Sequence, residues 1–100
     1  MARPKKKRVI NFAVKNASFF PETKNSASAD LKMDELEAMR LCDREELFQE
    51  KAASKMGVSR RTLERILYSG RKKVADALIY GKAIQITMPF YAEMQKGVAK

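Results

Sequence analysis

Residues 49–68 read QEKAASKMGVSRRTLERILY, and the order of small, permissive and apolar positions in this stretch decides the fold. Two helices that cross at about 90–120° through a short turn need a small residue at the crossing, a permissive one in the turn and apolar anchors beyond it. Ala53, Gly57, Leu63 and Ile66 meet those needs in order, with Met56 and Val58 bracketing the turn. The stretch therefore predicts a helix-turn-helix.

Ser59 is an N-cap, and Leu63, Ile66, Leu67, Gly70, Val74, Ala77 and Leu78 continue an apolar stripe until Gly81 stops it. That is the third and longest helix. Phe48 to Met56 forms the second, with Ala52, Ala53 and Met56 on one side. Met33 to Cys42 forms the first, with Met33, Leu36, Met39 and Leu41 at helical spacing and acids in the first turn, where the helix dipole favours them. Val9–Phe12 favours a strand, and Ala83–Thr87 sets Ile84 and Ile86 on one face by alternation. The expected fold is mainly α, a three-helix helix-turn-helix domain with a short two-stranded β element made by the chain ends. Its parts are a basic arm (1–8), a short strand and mobile loop (9–31, with Lys24–Ala29 as the loop), the helical domain (32–81), and a C-terminal strand and tail (82–100). Phe19-Phe20-Pro21 reads as an anchored aromatic turn. A short amphipathic turn is expected through Phe90, Tyr91 and Met94.

Composition narrows the chemistry. One hundred residues suffice for one core, and 21 Lys plus Arg against 12 Asp plus Glu leave a formal charge of +9, which attracts polyanions. No histidine and a single cysteine, Cys42, exclude disulfides within the chain, Cys/His zinc sites and any histidine base. No catalytic residue, cofactor or metal is expected, and Asp34, Glu35 and Glu37 look like ordinary acids of a short helix. Cys42 reads as a small buried hydrophobe. No apolar run is long enough to span a membrane, so a cytosolic chain is expected.

Charge is sorted along the chain. Asp30–Glu50 carries eight acids against three bases and should face away from a polyanion, whereas Gly57–Lys73 carries six bases against Glu64 alone. At about 100° per residue, Arg61, Arg65, Tyr68 and Lys72 fall in one narrow stripe opposite Leu63, Gly70 and Val74. Within Gly57–Lys73 only Glu64 is available to neutralise so many cations. The major groove admits a helix, and Arg there can make two hydrogen bonds to guanine. Ser59, Arg60, Arg61, Glu64 and Arg65 are thus the expected base-reading residues, with Glu64 either accepting from cytosine or orienting a neighbouring Arg. Lys51, Lys55, Thr62, Tyr68, Arg71, Lys72 and Lys73, together with the arm residues Arg3, Lys5, Lys6, Lys7 and Arg8, are expected at phosphates or along a neighbouring groove. The arm (PKKKRV) also matches a short nuclear import string, but a DNA-contacting arm suits the rest of the chain better.

MARPKKKRV, MDELEAMRLCD, QEKAASKMGVSRRTLERIL and RKKVADALIYGKAI, together about two thirds of the chain, resemble a family of small uncharacterised bacterial and archaeal proteins predicted to bind DNA. Ser59–Leu63 and RKKVADAL are also similar to region four of bacterial sigma factors. The resemblance implies a sigma-region-four-like helical domain, a winged or plain helix-turn-helix, with a role in transcription. The chain departs from the pattern in its polar, shortened stretch between Phe20 and Asp30, in Phe48 where a Ser or Thr cap would open the second helix, and in Gly70, where Ala is usual and a mid-helix glycine gives room for a bend. The expected function is a sequence-specific double-stranded DNA-binding regulator acting as a homodimer through its end strands. The alternative is a module that docks on a protein such as RNA polymerase through its acidic first-helix region.

Overall fold

The computed structural model describes residues 7–22, 27–89 and 92–94. Its elements, in order, are β1 (Arg8–Ile10), β2 (Ser18–Phe19), β3 (Ser28–Lys32), α1 (Met33–Met39), α2 (Gln49–Met56), α3 (Arg60–Tyr80), β4 (Ala83–Thr87) and β5 (Ala92–Met94). The mainly helical expectation holds, and the three helices lie where their apolar periodicity put them. Their shared core is Ala38, Leu41, Ala52, Ala53, Met56, Leu63, Ile66 and Leu67, all buried, with Met39, Cys42, Leu47 and Val58 packed against it.

The strands correct the sequence reading. β4 pairs in parallel with β3, from Ser28 opposite Ala83 to Lys32 opposite Thr87, and antiparallel with β2. β1 pairs with β5 instead, also in parallel. The expected single ribbon of the two ends is therefore two small sheets, and the larger includes β3 from the interior of the chain. Ser28 and Ala29, expected in a mobile loop, belong to β3; residues 24–26 lie outside the described set. Ala92–Met94 is a strand rather than the expected amphipathic turn, while Phe90 and Tyr91 lie outside the described residues. β3 escapes a sequence search because SADLK offers one large apolar side chain, Leu31. Its strand form comes from the β4 backbone beside it.

Helix ends follow their local chemistry. α1 starts where the Lys32 backbone N–H donates to Glu35 Oε1 (2.9 Å), and after Met39 the chain widens into a π-helical turn over Arg40–Arg44. α2 opens at Phe48 with no side-chain cap, and Phe48 is 86% exposed. It closes at Gly57, whose φ of 68° is left-handed. The Gly57 and Val58 N–H groups then donate back to Ser54 and Ala53, the paired bonds of a Schellman stop that favours glycine. α3 opens at Ser59, whose Oγ accepts from the Thr62 N–H (3.1 Å), and continues unbroken to Tyr80.

Gly70 is not a weak point but the contact between α1 and α3. A Cβ there would sit 3.0 Å from Glu35 Cβ, 3.2 Å from the Glu35 carbonyl oxygen and 3.2 Å from Met39 Sδ. Helix propensity alone would make Gly70→Ala stabilising by about 1 kcal/mol. Backbone atoms cannot yield without moving α1, so overpacking of about 1–3 kcal/mol should win. Gly70→Ala is expected to lower the urea midpoint. A raised midpoint would show that α1 slides on α3.

Candidate nucleic-acid interface

The same three-helix packing that buries Leu63, Ile66, Leu67 and Gly70 turns the opposite side of α3 outward. Arg61, Arg65, Tyr68 and Lys72 are all exposed, Tyr68 by 69%. Among the described residues, none of the four side chains makes a hydrogen bond or an ion pair. The ridge thus presents three cations and a phenol with no acid among them. Lys51 and Lys55 lie exposed on α2.

Other residues expected at the interface are engaged elsewhere. Arg60 lies 3.3 Å from Glu64 Oε1 and 3.9 Å from Glu50 Oε2, so Glu64 is paired with an arginine in the fold. The Ser59 hydroxyl accepts from the Thr62 N–H and donates to Thr62 Oγ1 (3.0 Å), which commits both side chains to the cap. Arg71 grips Asp43 with two bonds, 2.6 and 3.2 Å, and that hydrogen bonding raises its pKa further. Lys73 Nζ donates to Glu35 Oε1 and to the Asp30 carbonyl, both at 2.9 Å. Lys73 is therefore a strut from α3 to the start of α1 rather than an outward cation. The acids of the first-helix region, not Glu64 alone, neutralise this flank.

Arg8 is the larger correction. Its side chain is 6% exposed and its Nε lies 3.4 Å from Asp34 Oδ2, so β1 carries it into the body. It is no part of an arm. Lys7 is exposed, and Arg3, Lys5 and Lys6 lie outside the described residues.

The acids that looked ordinary are the buried polar centre. Asp34, Glu35 and Glu37 are 3%, 6% and 0% exposed, which is rare for carboxylates unless they are paired. Glu35 also accepts from Ser69 Oγ on α3 (2.5 Å). Glu37 accepts from the Asn11 N–H (2.8 Å) and from Arg40 Nε (2.6 Å). Burial pushes the Asp34 carboxyl up, against the opposing pull of Arg8. Burial likewise raises the Cys42 thiol, which keeps it a protonated, half-buried filler. Among the described residues no group of His, Cys, Asp and Glu could hold a metal ion, and no helix is long and apolar enough to cross a membrane.

Known proteins resemble this chain along most of its length. A UPF0251 protein of Ruminiclostridium cellulolyticum is 49% identical over 86 residues, covering 86% of this chain and 68% of its own. One from Caldicellulosiruptor saccharolyticus is 50% identical over 86 residues, covering 86% and 62%. One from Clostridium novyi is 51% identical over 90 residues, covering 87% and 61%. The chain thus spans about three fifths to two thirds of the length of these relatives. No solved structure matches it. Its residues 1–92 match the model of DUF134, a protein family of unknown function, and the chain belongs to that family.

Proposed function

We propose that this chain is a cytosolic, sequence-specific double-stranded DNA-binding transcriptional regulator, a helix-turn-helix of the sigma-region-four kind, with α3 entering the major groove. The observation that carries the reading is the outward ridge of Arg61, Arg65, Tyr68 and Lys72, whose cations have no partner among the described residues. Charge left unneutralised on one face of a helix, in a chain of net charge +9, suits a polyanion whose groove is helix-wide. Arg61 and Arg65, in the first turns after the cap, would read base edges; Tyr68, Lys72, Lys51 and Lys55 would set position on phosphates.

Docking on RNA polymerase through an acidic α1 face draws less support. Asp34, Glu35 and Glu37 are buried, and Asp43 and Glu45 are paired with Arg71 and Arg40.

Salt titration of duplex binding tests the proposal. Each phosphate contact releases counterions, so log K should fall linearly with log salt, and Lys72→Ala should reduce the slope by about one while weakening all sequences alike. A slope that ignores Lys72→Ala would remove that residue from the interface. Affinity that ignores salt altogether would end the DNA reading.

A further inference from the structure

The last turn of α3 breaks the rule kept by the rest of the helix. Leu78, Ile79 and Tyr80 are consecutive, so at about 100° per residue they fan across roughly 200° of the helix surface, and they are 75%, 72% and 67% exposed. The sequence stripe had placed Leu78 in the core; in the fold, Ala77 takes that place and Leu78 faces outward. A turn that is apolar and exposed over so wide an arc belongs where protein covers it. Beside this turn, Phe19 and Phe20 are 51% and 74% exposed rather than anchored, and they line a shallow cleft with Ala77, Leu78 and Ile84.

Taking roughly 150–250 Å² for a whole large apolar side chain, these five residues expose on the order of 600 Å² of apolar surface, rather more than half of it on Leu78, Phe19 and Phe20, which share the cleft. That reaches the top of the range of about 300–600 Å² for the largest patch on an ordinary monomer. It also approaches the roughly 800 Å² that each partner contributes to a stable interface. The charges beside the patch cancel, since Lys82 Nζ lies 2.6 Å from Asp76 Oδ2. Two copies at +9 each repel one another over most of their surface, and this neutral face is where they can meet. A two-fold contact also needs a surface complementary to itself, and here a projecting apolar turn adjoins an apolar cleft.

We infer that this face binds a second copy of the chain, with Leu78 and Ile79 of each protomer seated against Phe19 and Phe20 of the other. The end strands expected to make such a contact pair within one chain. The inference stands apart from the DNA reading, and it is compatible with it. α3 is 21 residues long, about 32 Å at 1.5 Å per residue, so joining its far ends leaves Arg61 and Arg65 of both copies free.

Sedimentation without DNA, from micromolar to submillimolar protein, tests it. The wild type should sediment as a dimer, and Leu78→Lys/Ile79→Lys should raise the dimer dissociation constant about a hundredfold or more with unchanged helical circular dichroism. Phe20→Ser, on the other wall of the cleft, should act in the same direction and decides the matter if the double variant does not fold. A wild type that stays monomeric throughout, or a dimer that both walls' variants leave intact, overturns the inference. Because DNA is absent from the measurement, its failure leaves the salt-titration result standing, and the converse holds too.

Discussion

Replacing Arg8 with Ala is expected to remove about 3–5 kcal/mol of folding stability, the usual consequence of taking one partner from a buried ion pair. The Arg8 and Asp34 side chains are 6% and 4% exposed, so the carboxylate left behind could not recover its lost partner from water. Glu35 lies beside it and adds a like charge. A chain of this size has about 5–15 kcal/mol in total, so urea unfolding should register the change plainly. Its pH dependence has a definite sign. Burial already raises the Asp34 carboxyl above its ordinary 3.8, with Arg8 pulling the other way; without Arg8 it should rise further. An acid whose folded pKa lies above its unfolded one favours the fold most below the unfolded value, and that contribution is lost as pH rises through the folded pKa. The gap between variant and wild type should therefore be widest near neutral pH and narrow as pH falls toward 3.8. A loss under about 0.5 kcal/mol, typical of a surface site, would return Arg8 to the basic arm that its sequence neighbours suggest.

That misplacement shows what a linear reading can and cannot see. The helices were legible because their signals are local: the Ser59 cap, Gly57 and Gly81 at the stops, and apolar residues at helical spacing. The outward stripe of α3 was legible for the same reason, since 100° per residue fixes which side chains share a face once the buried side is known. Arg8 was not, because five bases in six residues look solvated, and nothing within the run shows that β1 will turn one of them onto Asp34. Lys73 was lost in the same way. Its position on α3 is a flank, and whether a flank meets water or the Glu35 carboxylate depends on how α1 lies across Gly70. β3 failed for want of its own hydrophobic pattern. Leu78 failed in reverse: the apolar stripe runs on to it, but Ala77 fills the inward place on the last turn of α3 and Leu78 faces outward. Pairing between distant segments decides each of these.

On a duplex selected for tight binding, Arg65→Ala should lose roughly 1–3 kcal/mol while affinity for random duplex changes little, because a base-reading contact is made only where the base is right. The fold ranks the basic residues of α3 in a way their types do not. Arg61 and Arg65 are exposed and have no partner among the described residues, so reaching a base edge breaks nothing and ordering the side chain is the main opposing term. Arg60 must share itself with Glu64 and Glu50, and Arg60→Ala should therefore cost less specificity than Arg65→Ala. Lys73 is the decisive contrast. It is as basic as Lys72 and adjacent to it, yet its ammonium is held by Glu35 and the Asp30 carbonyl. Lys73→Ala should lower folding stability and leave the salt slope of duplex binding unchanged, where Lys72→Ala lowers the slope and leaves stability alone. Equal losses for Arg65→Ala on selected and random duplexes would reduce that residue to a phosphate contact. A salt slope that responds to Lys73→Ala would mean that DNA draws this lysine away from α1, and with it the strut between the first and third helices.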